Sequence, residues 1–566
     1  MPQDAFTLKY LCEELNILFK GGKVNKIVQP NNEQVILTVY TGKKTEKLLL
    51  DVNPAHPRIG VTEAQFESPL TAPNFCMLVR KHLLNATIEH ISLVGFDRVV
   101  KIEFSPSNEY FDSAKKVLYV ELMGRYSNII LTEENKVLGG NRGVNFFDNG
   151  VRPLIVNKEY VLPPSFNKKH PEDEGIKDIF NGVTGDFAKA VLDNVQGIAV
   201  STAKEIERVI LDRKKTALLS EDFSKTAHEV LKDFIYSSCP NPAVLMEGET
   251  AKDVFVFPYK TITGEYKFFD KLYLAEEYCF ANKLLAKSTG ELRTRLNAIT
   301  SSQLKKIKKK ISIISSRLSE AKGLEENRIK GELLLANIYK IEKGASKVVL
   351  ENYYDQSEIE IELDSNFSVS KNAENYYKKY NKQKRALNIL SEQLDEIKKE
   401  EEYLESLLTM ISLSKDIEEL LIVKEELLEN GLLKEKKLTK KTKNQVKGYR
   451  EYSYKGFTIK VGRNNIENDM LCYKASKTDI WLHVKDYPSS HVIIEKGNRE
   501  ISNEIITFAS EICAYYSKVS NEDRVEVIYT ERKNVKKPPK AKPGKVIYSE
   551  YNSVVVSPNE RQEFRV

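Results

Sequence analysis

The sequence predicts an α+β multidomain protein in which two mixed α/β globular ends are joined by a long antiparallel coiled-coil arm. Strand-like runs and an amphipathic helix lie near the start, two stretches in the middle carry a heptad repeat of apolar residues, and strand-like runs return after residue 450. The 566 residues suffice for several domains, and a hydrophobic content of 41% is enough to build their cores.

The first globular end is predicted to cover residues 1–172. The segment FTLKYLCEELNILF has the spacing of an amphipathic helix. The runs EQVILTVY, EKLLLDV, VVKIEF and VLYVELMG are rich in β-branched residues, as strands are. The Pro- and Lys-rich segment VLPPSFNKKHPEDEG then indicates a domain boundary.

Residues 173–284 begin with helices and contain NVQGIAVSTAKEIERVI, which has the form of a helix–hairpin–helix motif. In that motif, a glycine-rich turn directs backbone N–H groups at a phosphate. The second glycine expected in the turn is Ala199 here. A phosphate-binding hairpin and a plain packing unit of two helices are both compatible with this segment.

The clearest pattern is a heptad repeat in two separate stretches, which predicts coiled-coil helices. Its apolar positions are Leu304, Ile307, Ile311, Ile314, Leu318 and Ala321, and then Leu387, Leu390, Leu394, Ile397, Leu404, Leu408 and Ile411. Between them, KVVLENYYDQSEIEIELD alternates like strands. We expect an antiparallel hairpin: coiled coil 1 at 285–343, a small middle domain at 344–371 and coiled coil 2 at 372–432. Two helices of a bundle are the alternative.

A basic linker is predicted at 433–449, before the second globular end at 450–566. That end contains strand-like runs and one amphipathic helix, EIITFASEICAYYSK. Two globular ends joined by a long arm suit a protein that contacts a large object at separated points.

The charge balance is mixed rather than uniformly basic. Lys and Arg number 87 against 81 Asp and Glu, so the net charge is only +6. Local basic patches therefore fit better than a histone-like binder. The six cysteines form no CxxC pair, which argues against a zinc ribbon and for a reducing compartment. With no signal-peptide-like start and no long apolar run, we expect a cytoplasmic protein without a membrane span.

The segment DIWLHVKDYPSSHVII, residues 479–494, holds the chain's only tryptophan. As a strand, it would place Ile480, Leu482 and Val484 on one face and Trp481, His483 and Lys485 on the other. Pro488, Ser489 and Ser490 would turn the chain, and His491 would open a second strand. The second face could stack on RNA bases and contact phosphate; a half-buried tryptophan with satisfied polar neighbours is the alternative. His483, Asp486 and His491 could ligate a metal, but nothing supports the geometry.

A basic loop follows near the end of the chain. Its lysines lie among three prolines, which keep a segment extended: Lys533, Lys536, Lys537, Lys540, Lys542 and Lys545. Such a strip fits contact with a polyphosphate backbone, although an ordinary solvated loop has the same composition.

Two short segments of the first end carry a further constellation. GFDR places Asp97 and Arg98 just before a strand, and ELMGR places Glu121, Leu122, Met123 and Arg125 around a glycine that indicates a bend. Acidic groups can accept from base amino groups, Arg can bond or stack on bases, and Met packs against flat rings. An intramolecular salt bridge is the alternative role for these charges.

Several blocks in this order resemble the NFACT family over essentially the whole chain. They are NFCMLVRKHL, GFDR, ELMGRYSNIIL, NAENYYKKYNK, VGRNN, DIWLHVKDYPSSHVII and AKPGKVIY. The resemblance implies an NFACT-N domain, a helix–hairpin–helix region, a coiled-coil arm with a small middle domain, and an NFACT-R RNA-binding domain.

The resemblance also implies roles for residues. The family's tRNA-recognising Asp-Arg pair matches Asp97 and Arg98, and its Glu-x-Met segment matches Glu121, Leu122 and Met123. The NFACT-R motif matches the residues Asp479, Trp481, His483 and His491. Ser489 departs from the glycine usual in the turn, and Ala199 and Val200 depart from the hairpin pattern. No catalytic residue, metal or cofactor is implied.

The function implied by the resemblance is ribosome-associated quality control. Bacterial members bind split large ribosomal subunits that carry peptidyl-tRNA, recruit alanine tRNA and support alanine tailing without mRNA, while the ribosome transfers the peptide. The implied partners are 23S rRNA, stalk-base proteins, alanine tRNA, peptidyl-tRNA and a small RNA-binding accessory factor, with the protein monomeric on the subunit.

Three other functions are alternatives. A fibronectin-binding surface adhesin, as an older family name suggests, would need an export signal or wall anchor. A DNA glycosylase could use Pro2 as an amine nucleophile, but Gln3 stands where the catalytic glutamate belongs. The third is a general RNA- or ribosome-binding protein without tailing activity.

Overall fold

The computed structural model describes residues 3–66, 69–105, 114–142, 152, 154–164, 167–181, 183, 185–216, 223–320, 324–434, 448–539 and 541–566. Most of the predicted basic linker (435–447), Lys540, Ala321 and Pro2 lie outside this set. The chain divides into two compact units, Met1–Lys287 and Ser288–Val566.

The first unit begins with a helix and a nine-stranded antiparallel sheet ordered β4-β3-β2-β1-β5-β6-β7-β8-β9. The elements are α1 (Ala5–Phe19), β1 (Lys23–Val28), β2 (Gln34–Tyr40), β3 (Thr45–Asp51), β4 (Arg58–Val61), α2 (Asn74–Leu83), β5 (Thr87–Leu93), β6 (Val99–Ser105), β7 (Lys116–Glu121), β8 (Asn128–Glu133) and β9 (Lys136–Gly140). The predicted first helix and the four predicted strands are confirmed as α1, β2, β3, β6 and β7.

The rest of the first unit packs on the same core. A 3-10 helix (Glu174–Phe180) is followed by α3 (Phe187–Asn194), α4 (Val200–Thr216), α5 (Phe223–Tyr236), β10 (Ala243–Glu247), β11 (Thr250–Phe255), β12 (Glu265–Phe268) and the start of α6 (Leu272–Glu320). Phe6 of α1 and Phe234 of α5 lie 5.0 Å apart between ring centroids, within one cluster of buried residues. The core is therefore continuous across the boundary predicted at residue 172.

In the second unit, α6 is followed by α7 (Leu324–Ala336), the hairpin β13 (Lys347–Glu351) and β14 (Glu358–Glu362), α8 (Val369–Leu413) and α9 (Ile417–Glu429). Arg293 donates to the carbonyl of Ser414 at 2.6 Å, Lys308 to Glu405 at 3.0 Å, and Asn327 to Gln383 at 3.0 Å. The residue numbers of the partners in and just after α8 decrease as those in α6 and α7 increase. The outgoing and returning helices are therefore antiparallel, as predicted. The predicted bounds differ, because α6 begins at Leu272 and α8 ends at Leu413.

The C-terminal domain contains a six-stranded antiparallel sheet ordered β15-β16-β18-β17-β19-β22. Its elements are β15 (Arg450–Tyr454), β16 (Phe457–Val461), α10 (Asn465–Lys474), β17 (Ile480–Val484), β18 (Val492–Ile494), α11 (Asn503–Tyr515), β19 (Val525–Glu531), β20 (Val535–Lys536), β21 (Ile547–Tyr548) and β22 (Asn552–Val556). The predicted amphipathic helix is α11, whose Phe508 and Ile512 pack on one face of the sheet.

Among the helices that the structure describes, none has both the length and the apolar content required to cross a bilayer.

Candidate RNA-binding surfaces

The two motif segments of the first unit meet at one end of the β6–β7 pair. Val99 pairs with Glu121, and beyond this pair the N–H of Leu122 donates to the carbonyl of Arg98 at 2.9 Å. The Asp97 carboxylate accepts the N–H of Arg98 at 2.7 Å, and the Asp97 and Arg98 side chains are both partly exposed. The fold therefore places GFDR beside ELMGR, which the sequence alone did not predict.

The bend predicted at Gly124 is present. Gly124 has φ +57°, in the left-handed region that favours glycine, and it opens a 3-10 turn, Gly124–Tyr126. The Arg125 guanidinium lies 4.6 Å from the centre of the Tyr126 ring and donates to its hydroxyl at 2.5 Å. Both side chains are exposed, and Met123 is partly exposed. The turn thus presents a thioether, a cation and an aromatic ring on one surface.

Glu121 and Leu122, in contrast, are buried, which corrects the expectation that they contact RNA directly. The Glu121 carboxylate is 3% exposed and accepts from Arg152 at 2.7 Å and from the Tyr160 hydroxyl at 2.8 Å. Burial, with the neighbouring Glu121 charge, raises the pKa of Tyr160. Leu122 is fully buried. The salt-bridge alternative therefore holds for Glu121, with Arg152 as its partner, and these residues fix the turn that presents Met123 and Arg125.

The helix–hairpin–helix turn is engaged within the protein. Gly197 has φ +70°, and a Cβ there would lie 2.3 Å from the Ala5 Cβ, so the turn needs glycine. The N–H of Ala199 donates to the Asp4 carboxylate at 3.2 Å, and the Thr202 hydroxyl donates to the same oxygen at 2.6 Å. The Asp4 carboxylate thus accepts a backbone N–H of the turn that a phosphate would need, which favours the packing unit over the phosphate-binding hairpin.

In the C-terminal domain, the alternation predicted for residues 479–494 is confirmed. Leu482 and Val484 join the core under α11, while Trp481 points to the opposite face. That face is covered, however, and Trp481 has no exposed surface. Leu471 and Cys472 of α10 and Val535 of β20 pack around it. Trp481 cannot stack on an RNA base in this fold, so its predicted direct contact is corrected to a core role.

His483 and His491 lie beside this cluster, where His491 is buried and His483 is partly exposed. Their rings lie 5.4 Å apart, and the Nδ1 of His491 lies 3.2 Å from the Sγ of Cys472. Burial lowers the pKa of His483 to about 4, and burial together with His483 holds the pKa of His491 well below its usual value. Both imidazoles are neutral near pH 7 and contribute no cation for a phosphate. Burial of His491 corrects the direct contact predicted for it, whereas His483 is partly exposed and its contact with RNA stays a prediction.

Asp479 is also buried and hydrogen-bonded within the protein, which corrects its predicted contact with RNA. It is 5% exposed, and its carboxylate accepts the N–H groups of Ser476 at 2.8 Å and Lys496 at 3.0 Å. Its backbone carbonyl accepts the N–H of Arg532 at 2.8 Å. Asp479 therefore ties together three segments around β17.

The turn after β17 accommodates the departure at Ser489. Asp486 carries the positive φ of this turn, +61°, and Ser489 does not have one. The Ser489 hydroxyl accepts the N–H of Val484 at 3.1 Å. Serine thus supplies a hydrogen bond that glycine could not.

The basic loop lies against acidic and polar groups of its own unit. Lys545 contacts Glu402 of α8 at 2.5 Å, Lys542 donates to Asn430 at 2.8 Å, and Lys537 pairs with Asp469. Lys533 pairs with Glu531 at 2.5 Å, and Lys536 is exposed. The predicted strip is therefore docked along its second half; Lys540 lies outside the described residues.

An aromatic surface that the sequence did not indicate lies beside the buried tryptophan. The Tyr548 ring is 5.5 Å from Trp481 and 5.3 Å from Tyr551, which is 47% exposed. Lys485 pairs with Glu526 at 3.1 Å and is close enough to Tyr551 for an electrostatic interaction. We call Lys485, Tyr548 and Tyr551 the Tyr551 surface. In the sequence, only the two tyrosines of YSEY indicated this surface, and the nearby tryptophan was the more conspicuous candidate for stacking.

Within the described ranges, no group of three or more His, Cys, Asp or Glu side chains is placed to hold a metal ion. The Gln3 amide, at the position relevant to a glycosylase, exchanges two hydrogen bonds of 3.0 Å with the backbone of Ile59.

Comparison with known families agrees with this architecture. Residues 447–550 match the family model described as the NFACT protein RNA binding domain, and residues 4–446 match that of the NFACT N-terminal and middle domains. The fold and these matches define a multidomain protein with a C-terminal RNA-binding domain. The chain belongs to the NFACT family.

Several bacterial relatives are similar over nearly their whole length. The chain is 34% identical to the "Rqc2 homolog RqcH" of Bacillus subtilis (strain 168), covering 99% of this chain and 98% of the relative. It is 32% identical to the protein of the same name in Streptococcus suis (strain 05ZYH33), covering 99% of each. A solved C-terminal fragment of the S. suis fibronectin/fibrinogen-binding protein is 30% identical with a TM-score of 0.40, covering 50% of this chain and 100% of the fragment.

Proposed function

We propose that this protein acts in ribosome quality control by extending stalled nascent chains with alanine. It would bind large ribosomal subunits that still hold peptidyl-tRNA, recruit alanine tRNA and support tailing that marks the chain for degradation. The observation that carries the proposal is the near-full-length similarity to the RqcH proteins. Ribosome quality control is the function that this relationship supports; alanine as the added residue is the finer part of the proposal.

In this proposal, the surface formed by Asp97, Arg98, Met123 and Arg125 contacts the tRNA. These side chains are at least partly exposed and lie on adjoining segments. They offer an acceptor, two cations and a polarizable thioether, which suits the unstacked bases of an RNA loop. Glu121 and Leu122 would act by holding this surface in place.

The C-terminal domain would contact ribosomal RNA through the Tyr551 surface and Lys536. Exposed tyrosines can stack on bases, and exposed lysines can neutralise phosphates. Asp479, Trp481, His483 and His491 would maintain the strand and turn beneath that surface. Lys537 and Lys542 would hold the basic loop against its own unit, and Lys540 would contact RNA.

The paired helices α6 and α8 would act as a coiled-coil arm that reaches 23S rRNA and stalk-base proteins. The ribosome would carry out peptide transfer, so the protein needs no catalytic residue or cofactor of its own. We further propose a cytoplasmic protein that is monomeric on the subunit and works with a small RNA-binding accessory factor.

Replacing Asp97 and Arg98 by alanine tests the tRNA assignment. We expect alanine tailing in cells to be lost while sedimentation with the large subunit persists, because the Tyr551 surface is intact. The exposed pair Asp270→Ala and Lys271→Ala, which removes the same two charge types elsewhere, is the matched control. Unchanged tailing in the Asp97 and Arg98 variant would overturn the assignment.

Sequencing the RNA that copurifies with the tagged chain tests the proposal as a whole. Large-subunit rRNA with enriched alanine tRNA and little small-subunit rRNA is the expected result. Ribosomal RNA without enriched tRNA would leave a ribosome-binding protein without a tailing role. A preparation free of RNA would redirect attention to the adhesin and glycosylase functions.

A further inference from the structure

The first unit contains a cavity of about 470 Å³ that none of the surfaces above includes. Its walls come from the start of α1, the segment between β3 and β4, the start of α4, β11 and α6. His56, Leu284 and Lys287 are exposed at its rim, whereas Arg58 and Glu276 are buried in it. Its volume lies within the range of roughly 300–1,000 Å³ that is usual for small-molecule sites.

Most buried polar groups of this cavity already have hydrogen-bond partners. The Asp51 carboxylate accepts from the Gln34 amide at 2.7 Å and from the N–H of Asn53 at 2.9 Å. Asp4 accepts from Thr202, and the Gln3 amide is bonded to Ile59. These groups form the cavity wall, and because they are already hydrogen-bonded they do not favour the binding of a ligand.

Arg58 differs from its neighbours. It is 6% exposed, yet its Nε, Nη1 and Nη2 have no hydrogen-bond acceptor among the described residues. Its nearest acidic oxygen, on Glu277, is 4.0 Å away, and that oxygen also lacks a hydrogen-bond partner. The guanidinium lies on the Phe280 ring at 4.1 Å, which leaves its donor edge free. A buried donor without an acceptor is unfavourable, so a ligand that supplies the acceptor would bind more tightly for doing so.

The charges of the wall restrict the kind of ligand. Asp4, Asp51, Asp253 and Glu276 stand against Arg58, Lys283 and Lys287, so a bare anion would meet more acidic groups than basic ones. A ligand that offers acceptors to the arginine and donors to a carboxylate would satisfy both. Guanine does so, since its O6 and N7 accept two bonds from arginine and its N1–H and amino group donate to a carboxylate.

We propose that this cavity binds a guanine base, with Arg58 bonded to its acceptor edge, Glu276 to its donor edge, and Lys283 and Lys287 facing a phosphate at the rim. The base can come from a free nucleotide or from an RNA strand. The rim segment that includes His56 also includes Pro54, whose carbonyl would lie 3.7 Å from a Cβ on Gly124. An unstacked guanine of RNA bound at the Arg125 turn would therefore lie next to the cavity.

Calorimetric titration of the full chain with GMP, AMP and inorganic phosphate tests this site. We expect GMP to bind at least about tenfold more tightly than AMP, because a bidentate arginine pair distinguishes guanine from adenine. Base recognition would be overturned if GMP and AMP bound with the same measurable affinity, or if phosphate bound measurably and as tightly as GMP.

Variants assign the binding to named residues. Arg58→Met and Arg58→Lys should each weaken GMP binding about tenfold or more, the second because lysine keeps the charge but loses the planar donor fork. Thermal melting checks the fold, and Arg58→Lys keeps the test decisive if the methionine variant does not fold. Lys287→Ala should weaken GMP more than guanosine, whereas Lys306→Ala, exposed on the same helix outside the cavity, should change neither. GMP binding that is unaffected by both Arg58 variants would refute the site.

A second arm separates the two sources of the base. The single-stranded RNAs UUGUU and UUAUU are titrated into the same variants. Preference for the guanine strand that depends on Arg58, with no binding of GMP, would assign the cavity to a base presented by RNA. No Arg58-dependent preference in either arm would overturn the proposal and would leave the alanine-tailing function untouched.

Discussion

Trp481 determines how the C-terminal domain can meet RNA, because the ring is completely buried while Tyr551 beside it is exposed. Tyr548 contacts both rings, so the packing of Trp481 helps to set the position of Tyr551. A conspicuous aromatic residue in a motif therefore need not be the one that touches the ligand. Here the buried ring supports the exposed one.

This arrangement predicts opposite effects for two alanine variants of the full chain. Trp481→Ala should lower the free energy of unfolding by about 3–5 kcal/mol, because it empties a large volume in the core. Tyr551→Ala should change it by less than about 0.5 kcal/mol, as surface substitutions usually do. The same Tyr551 variant should weaken single-stranded RNA binding by about 1–3 kcal/mol, the usual contribution of a base stacked on an aromatic ring.

Urea denaturation measures the first quantity and fluorescence anisotropy with a labelled RNA measures the second. Trp481→Phe, which keeps a buried ring, serves as the milder control and should retain RNA binding. Loss of RNA binding in Trp481→Phe without loss of stability would show that the indole itself contacts RNA.

The sequence could predict which side chains of β17 share a face, since alternation follows from strand geometry. It could not predict that α10 and the segment around Val535 cover the Trp481 face, because periodicity within one element does not show which other elements pack on it. The same limit applies to Glu121, whose partner Arg152 lies 31 residues away. Exposure, unlike periodicity, is a property of the tertiary fold.

At the scale of elements, α9 connects the helical hairpin to the C-terminal domain through buried polar contacts. Arg450 of β15 pairs with Glu419 at 2.7 Å, with both side chains almost completely buried. Glu426 accepts from the Tyr403 hydroxyl at 2.8 Å and from the Asn465 amide at 3.2 Å. These bonds tie α8, α9 and α10 together within the second unit.

Glu426 should make this junction sensitive to pH. Burial raises its pKa from 4.5 to about 7, so the folded protein holds a proton that the unfolded chain releases between these values. Its contribution to stability is therefore largest below about pH 4.5 and is lost as pH rises through 7. At about 1.4 kcal/mol per pKa unit, the contribution is on the order of 3 kcal/mol.

Glu426→Gln keeps the hydrogen-bonding shape without the titration. We expect its free energy of unfolding to fall less than that of the wild type between pH 5 and 8, measured by denaturation of the full chain. Glu425→Gln, exposed on the same helix, should follow the wild type. Identical pH profiles for Glu426→Gln and the wild type would contradict a raised Glu426 pKa.

Element boundaries were less predictable than element types. The heptads indicated the paired helices, but α6 starts at Leu272, before the repeat begins, because its first turns pack in the core of the first unit. The hairpin β13–β14 was anticipated from strict alternation. The sheet β10–β12 was not, since AVLME and TAKDVF mix charged and apolar residues too irregularly to mark a strand.

At the scale of the whole molecule, the small net charge does not show how many basic side chains are paired with acidic ones and how many can bind phosphate. The 87 basic residues nearly balance 81 acidic ones, and many lysines of the C-terminal domain are paired, such as Lys485 with Glu526 and Lys545 with Glu402. Lys536 has no acidic partner within the part of the chain that the structure describes. Composition therefore gives a poor estimate of how many cations meet phosphate, and binding measurements have to supply it.

The salt dependence of RNA binding counts those cations. We expect the logarithm of affinity to fall linearly with the logarithm of the salt concentration, because each neutralised phosphate of a single strand releases counterions and contributes about −0.7 to the slope. Replacing Lys533 and Lys536 by alanine should make the slope less steep by about 0.7–1.4, as one or two contacts are lost. Lys252→Ala, which removes an exposed lysine paired with Glu247 in the first unit, should leave it unchanged. A slope near zero in the wild type would mean that contacts with ribosomal proteins, rather than RNA phosphates, dominate the affinity, and anisotropy with labelled RNA across a potassium chloride series distinguishes the two.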